Sequence, residues 1–188
     1  RRYSERLACP NEHDISLEEL EPRQFSFNGP WGACPACSGL GTRMEVDPEL
    51  VVPDTSKSLA GSAIQVWSNP YVGGYFQAIF ATLAEQEAFS VDTPWEELPR
   101  RIQAMLLGGL SQPVTVRTRS RHGREHTYRA KYEGAIPYIM RRHLEAETDA
   151  SRERFGGFMR EVPCLTCQGA RLKPTSLAVT VGGLNIAE

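Results

Sequence analysis

The sequence predicts an α+β fold, a knuckle-bearing platform interrupted by an inserted helical and β-hairpin domain. Three observations lead there. Four of the five cysteines form two near-copies of one pattern, Cys34-Pro-Ala-Cys37-Ser-Gly and Cys164-Leu-Thr-Cys167-Gln-Gly. Several segments between them have apolar residues at helical spacing, and two alternating, strand-like stretches flank Arg121-His-Gly123. Two thiolates three positions apart, on a tight turn whose glycine lets backbone N–H groups approach sulfur, fit one edge of a zinc tetrahedron, and a second knuckle completes it. Residues 38 to 163 then become an excursion from a zinc-knuckle platform.

Taken in order, residues 1–46 form the platform. Phe25-Ser-Phe-Asn-Gly-Pro-Trp31 predicts tight turns with little helix. Residues 47–160 form the insertion. Its first part, with Pro53, Gly61 and Pro70, reads as loop with at most a short strand at Leu50-Val-Val52. Residues 74 to 88 place Tyr75, Ile79 and Leu83 at helical spacing, and Thr93-Pro-Trp-Glu-Glu predicts a capped helix running to about Leu107 and ending at Gly108-Gly109. Val114 to Arg119 and Glu125 to Tyr132 alternate as the two strands of a hairpin. Helices are expected from Pro137 to His143 and from Glu145 to Arg160, with a break at Gly156-Gly157. Residues 161–188 return to the platform with the second knuckle. Leu177 to Ile186 reads as a strand, a turn and the start of something longer, as in a piece of a larger protein.

Composition narrows the function. With 40% hydrophobic and 23% charged residues in 188, the chain has the make-up of a soluble globular protein with room for a platform and one insertion. No apolar run approaches the ~20 residues of a membrane span, and Arg-Arg-Tyr-Ser-Glu-Arg at the start lacks a secretory apolar stretch. No membrane partner and a cytoplasmic location with reduced thiols are the expectations. Disulfides fit poorly, since five cysteines leave one over and partners three apart make strained pairs. Four thiolates leave no open position for water, so a zinc at Cys34, Cys37, Cys164 and Cys167 is structural. Cys9 and His13, spaced C-x3-H, are candidates for a second ion or for an alternative local site with Cys34 and Cys37.

The formal net charge of -2 gives no global signal for nucleic acid, so local clustering has to carry one. The hairpin carries it: Arg117, Arg119, Arg121, Arg124, Arg129 and Lys131 surround a single acid, Glu125. Alternation puts Arg117 and Arg119 on one face and Arg129 and Lys131 on one face of the returning strand, an arrangement suited to phosphate oxygens. The competing reading is a solvated hairpin whose cations pair with Glu145, Glu147 and Asp149. Phe76, Phe80, Trp95 and Tyr132 read as core. There is no phosphate-binding G-x-x-x-x-G-K-[ST] loop, no nucleophile elbow and no catalytic residue.

The order of motifs carries a resemblance: Leu7-Ala-Cys-Pro, Leu20-Glu-Pro-Arg-Gln-Phe-Ser-Phe-Asn28, Gly32-Ala-Cys-Pro-Ala-Cys-Ser-Gly-Leu-Gly41, Tyr132-Glu-Gly-Ala-Ile-Pro137, Cys164-Leu-Thr-Cys-Gln-Gly-Ala-Arg-Leu172 and Val179-Thr-Val-Gly-Gly183. Together they resemble the UvrA family, the ABC-type ATPase subunits that sense damage in bacterial nucleotide excision repair. The resemblance implies a fragment covering part of the first signature domain and the DNA-facing insertion domain. It also implies zinc at Cys34, Cys37, Cys164 and Cys167, and double-stranded, especially damaged, DNA as partner. The rest of the UvrA chain, its dimer mate and UvrB, reached through the parent protein, would be further partners. ATP and Mg2+ would be bound by the parent alone. One departure is Glu12, which stands where the family commonly has the second cysteine of a C-P-x-C, so the family's pattern is incomplete around Cys9. A resistance paralogue of the family and a zinc-knuckle module that binds polypeptide are the competing functions. The long separation of the knuckles and the basic hairpin count against the second.

Overall fold

The computed structural model describes residues 20–119 and 125–188. They fall into two compact units. Met44–Arg160 makes one; the described residues up to Arg43, with Glu161–Glu188, make the other. Strands β1 (Thr42–Val46) and β4 (Met159–Pro163) pair in a two-stranded sheet. Among the described residues no helix is long and apolar enough to cross a membrane.

Within Met44–Arg160 the chain begins with a four-residue helix α1 (Pro48–Val51), where a strand is expected at Leu50-Val-Val52. Asp47 decides the matter: its carboxylate accepts from the Glu49 N–H at 2.8 Å, and Pro48 supplies a preset first-turn φ. Helix α2 (Pro70–Glu87) starts four residues earlier than the apolar spacing alone suggests. Its cap is Asn69, whose side chain accepts from Tyr71 N–H at 2.9 Å. Phe76, Ile79, Phe80 and Leu83 form its buried face. Thr93-Pro94 does not cap the next helix; Trp95–Glu97 is a single 3-10 turn, and α3 (Arg100–Gly108) starts after Pro99. This second proline holds Leu98 in an extended conformation and resets the chain direction, which the cap-like first motif conceals.

The two expected strands pair, the second ending at Ala130 and not at Tyr132, and the turn expected at Arg121-His-Gly123 lies outside the described residues. Strand β2 (Val114–Arg119) runs antiparallel to β3 (Glu125–Ala130), in a register that sets Val116 opposite Tyr128 and Thr115 opposite Arg129. Helices α4 (Ala135–Leu144) and α5 (Asp149–Gly156) follow, the second capped by Thr148, whose hydroxyl accepts from Ser151 N–H. Helix α5 ends at the expected break, Gly156-Gly157, while Met159 and Arg160, expected as helix, begin the strand Met159–Pro163. In the other unit, α6 (Pro174–Leu177) precedes a small hairpin, β5 (Thr180–Val181) with β6 (Leu184–Asn185).

The core of Met44–Arg160 is centred on Trp67 and Tyr132. Trp67 stacks on Phe76 at 3.9 Å and lies 5.9 Å from the ring of Tyr132. Tyr132 is 1% exposed, and its hydroxyl donates to Leu106 O at 2.6 Å, so burial leaves no phenol oxygen unpaired. Gly109 and Gly134 meet back to back beside this tyrosine. Both have positive φ, and a Cβ on Gly109 would lie 2.2 Å from Glu133 O. That approach lets Leu110 N–H reach Tyr132 O at 2.9 Å.

Candidate metal centre and basic hairpin

The two knuckles fold alike because they repeat the same backbone program. Ser38, Gly39 and Gly41 have positive φ, and so do Gln168, Gly169 and Arg171 at the matching positions. Leu40 N–H donates to Cys37 O, and Ala170 N–H to Cys167 O. These left-handed residues turn N–H groups toward sulfur: Gly41 N–H donates to Cys37 Sγ at 3.2 Å, and the N–H groups of Gly169 and Arg171 serve Cys167 in the same way. The knuckles are joined by Cys34 N–H donating to Arg171 O at 2.8 Å and Cys164 N–H donating to Gly41 O at 2.9 Å.

The result is a cluster of four buried thiols. Cys34 and Cys164 Sγ lie 4.0 Å apart, Cys37 and Cys167 Sγ 3.7 Å, and all four sulfurs fall within 4.8 Å of one another. None is in a disulfide. Ligands at ~2.3 Å on the corners of a tetrahedron stand about 3.8 Å apart, so the separations match what one four-coordinate ion asks for. The N–H groups of Cys167 and Thr166 stabilise the Cys164 thiolate and hold its pKa at about 6, while burial pushes the Cys167 thiol up to about 11. A divalent ion bound by sulfur draws its ligands into the thiolate form. The cluster can hold a metal. Cys9 and His13 lie outside the described residues.

Of the six hairpin cations, Arg121 and Arg124 lie outside the described residues, and Arg119 is placed by its backbone alone. Arg117 and Arg129 are exposed on one face of the ribbon, since Thr115 is opposite Arg129 and Val114, Val116 and Ala130 are buried on the other. Lys131, just past the strand, is exposed too. Among the described side chains no carboxylate lies within ion-pair distance of Arg117, Arg129 or Lys131. Two of the three acids expected to neutralise them have other partners. Glu145 pairs with Arg141 at 2.9 Å, and Asp149 with Arg152 at 3.1 Å. Arg141 also forks onto Glu133. Arg117 lines a polar groove with Thr82, Glu85 and Thr115 beside α2.

Two aromatic residues at the start of α2 lie where periodicity does not point. Tyr71 and Tyr75 are both exposed, and Tyr75 stacks on Tyr128 of β3 at 6.3 Å. Helical spacing alone groups Tyr75 with Ile79 and Leu83; the signal that separates it from Phe76 is its place one residue off the Phe76–Phe80–Leu83 stripe.

Comparison with known proteins agrees with this architecture. The chain is 58% identical over its whole length to UvrABC system protein A of Streptomyces coelicolor, of which it covers 18%. To the protein of the same name from Mycobacterium tuberculosis it is 50% identical over 97% of the chain and 19% of the relative. For Thermus thermophilus the figures are 48%, 99% and 20%. The chain thus spans no more than a fifth of the length of these relatives. Its structure superposes on UvrA2 from Deinococcus radiodurans with a TM-score of 0.71, at 28% identity, over 88% of this chain and 21% of that one. A family model described as the UvrA DNA-binding domain matches residues 47–157, which is most of the unit that carries the basic hairpin. More than half of the chain lies inside that match, and the chain therefore belongs to the UvrA DNA-binding domain family.

Proposed function

We propose that this chain is the DNA-contacting, zinc-stapled segment of a UvrA-like protein of nucleotide excision repair. The observation that carries the reading is the outward basic face of the hairpin, with Arg117, Arg129 and Lys131 free of carboxylate partners among the described side chains, inside the segment that matches the family model. Guanidinium and ammonium groups on an exposed strand face bind phosphate oxygens and gain affinity by counterion release, with no need to read bases. Recognition would rest on deformability. A lesion changes how easily the duplex bends and unwinds, and backbone contacts from such a ribbon respond to that change whatever the chemistry of the lesion.

In this reading Cys34, Cys37, Cys164 and Cys167 hold zinc, which closes the knuckle unit and takes no part in chemistry. Residues 1–46 and 161–188 serve as platform and 47–160 as the DNA-facing insertion. Arg119, Arg121 and Arg124 extend the cationic face. ATP hydrolysis, dimerisation and contact with UvrB belong to the parent protein, which would act in the cytoplasm. The three sequence relatives named above, from Streptomyces coelicolor, Mycobacterium tuberculosis and Thermus thermophilus, support repair over a resistance role, since each carries the name of the UvrABC system.

The test is the salt dependence of binding to duplex DNA. Replacing Arg117, Arg129 and Lys131 by alanine should lower affinity and reduce the slope of log K against log salt by about 0.9 for each phosphate no longer neutralised. An unchanged slope removes the hairpin from the mechanism.

A further inference from the structure

The outward face of the hairpin carries more than cations. Its register sets Thr115 opposite Arg129 and Arg117 opposite Thr127, so two threonines and two arginines form a square with like residues at diagonal corners. All four are exposed. Side chains directly opposite stand about 5 Å apart at Cβ and diagonal ones about 7–8 Å, so the two guanidiniums avoid the directly opposed positions where like charges are most costly. Each guanidinium also has a hydroxyl across the ladder and another two residues along its own strand. Among the described residues the hydroxyls of Thr42, Thr55, Thr82 and Thr148 are each engaged within the chain, and those of Thr115 and Thr127 are not.

Strand preference does not require those hydroxyls, since valine would satisfy it as well. What threonine adds is a short donor between two long cationic arms. Acids bound the face on two sides. Glu85 of α2 lines the groove shared with Thr115 and Arg117, and Glu125 holds the register position opposite Arg119. An anion is thereby steered onto the square, toward Arg129 and the neighbouring Lys131. We propose that Thr115 and Thr127 donate hydrogen bonds to phosphate oxygens of DNA, occupying the low corners of the square while Arg117 and Arg129 reach the backbone from the other two. The proposal rests on the DNA reading above and deepens it: the face binds through neutral donors as well as charge, so part of its affinity does not fade with salt.

The experiment titrates the zinc-loaded chain with a labelled matched duplex, by fluorescence anisotropy, at several salt concentrations. Thr115→Val with Thr127→Val keeps shape and strand preference and removes both donors. It should weaken binding about tenfold at every salt concentration, the effect of two hydrogen bonds, and leave the slope of log K against log salt unchanged, because a neutral hydroxyl displaces no counterion. Thr115→Ser with Thr127→Ser should bind as the parent does. Arg117→Ala with Arg129→Ala should instead lower the slope, by about 0.9 for each phosphate released. If the arginine variant lowers the slope and the valine variant binds like the parent, the DNA reading stands and the threonines fall. A valine variant that also lowers the slope, or a serine variant that binds no better than valine, overturns direct hydrogen bonding. A parent chain that does not bind the duplex removes both readings.

Discussion

Between Met44 and Arg160 the buried residues are large: Trp67, Phe76, Phe80, Leu83, Ile102, Tyr132 and Ile139 pack in one cluster. In the other unit the buried apolar side chains among the described residues are Cys34, Cys37, Cys164, Cys167 and Leu172, while Leu40, Leu165, Val181 and Leu184 lie exposed. Two units of one chain thus solve the stability problem differently. The first removes apolar area from water, at roughly 25 cal/mol per Å2. The second has little such area among its described residues and gathers four sulfurs from knuckles distant in sequence; in the zinc reading proposed above, the free energy of binding the metal becomes its free energy of folding.

The largest effect expected from this contrast is its separation by chelation. Removing zinc, or making Cys164→Ser with Cys167→Ser, should unfold the knuckle unit and leave the other folded. The tryptophans report each unit by itself, Trp31 in the knuckle unit and Trp67 and Trp95 in Met44–Arg160. In an indole N–H NMR spectrum the Trp31 signal should move to its unfolded position while those of Trp67 and Trp95 stay. Acidification acts in the same direction, because protons compete with the metal for thiolate. Cooperative loss of all three signals would break the comparison and make the metal a staple for the whole chain.

The reciprocal test strikes the apolar unit where it has least room. Gly109→Ala sets a Cβ 2.2 Å from Glu133 O at a φ of +87° and should cost about 2–4 kcal/mol in urea unfolding. Gly74→Ala, in the open interior of α2, should instead be neutral or stabilise by up to ~1 kcal/mol. Zinc content should be unchanged in both variants. A Gly109→Ala protein that loses its zinc would show the units to be energetically coupled.

What is legible in the sequence follows the same division. The knuckles are readable because C-x-x-C spacing is local and repeated, and the hairpin because valines on one face alternate with threonine and arginines on the other along β2. Both place their residues where geometry requires. The failures lie where a cap or a tertiary contact outweighs periodicity. Asp47 makes a helix of Pro48–Val51, Pro99 displaces the start of α3, and Met159 and Arg160, read as the end of a helix, enter a strand instead. Pairing of acids is equally hidden. Glu145 is nearer in sequence to Arg141 than to any hairpin arginine, and the i,i+4 geometry at the end of α4 claims it.

The smallest effect sharpens the comparison inside the metal unit, where the repeated knuckles differ in one respect. The residue four past the second cysteine has positive φ in both, but it is Gly41 in one knuckle and Arg171 in the other. A non-glycine residue in that region is strained by about 1 kcal/mol. Arg171 has compensation, its guanidinium lying 5.1 Å over the Phe27 ring, an attraction of ~0.5–1 kcal/mol. Arg171→Gly should therefore change zinc-loaded stability by less than about 1 kcal/mol, because relief of strain offsets the missing cation–π attraction and the greater freedom of an unfolded glycine. Gly41→Ala gains no such attraction. Its Cβ would lie 3.0 Å from both Arg171 Cγ and Gly169 O, pressing one knuckle against the other, so a destabilisation of about 1–2 kcal/mol and weaker zinc retention are expected. Equal responses from the two positions would mean that backbone strain, and not the fit of knuckle against knuckle, governs the site.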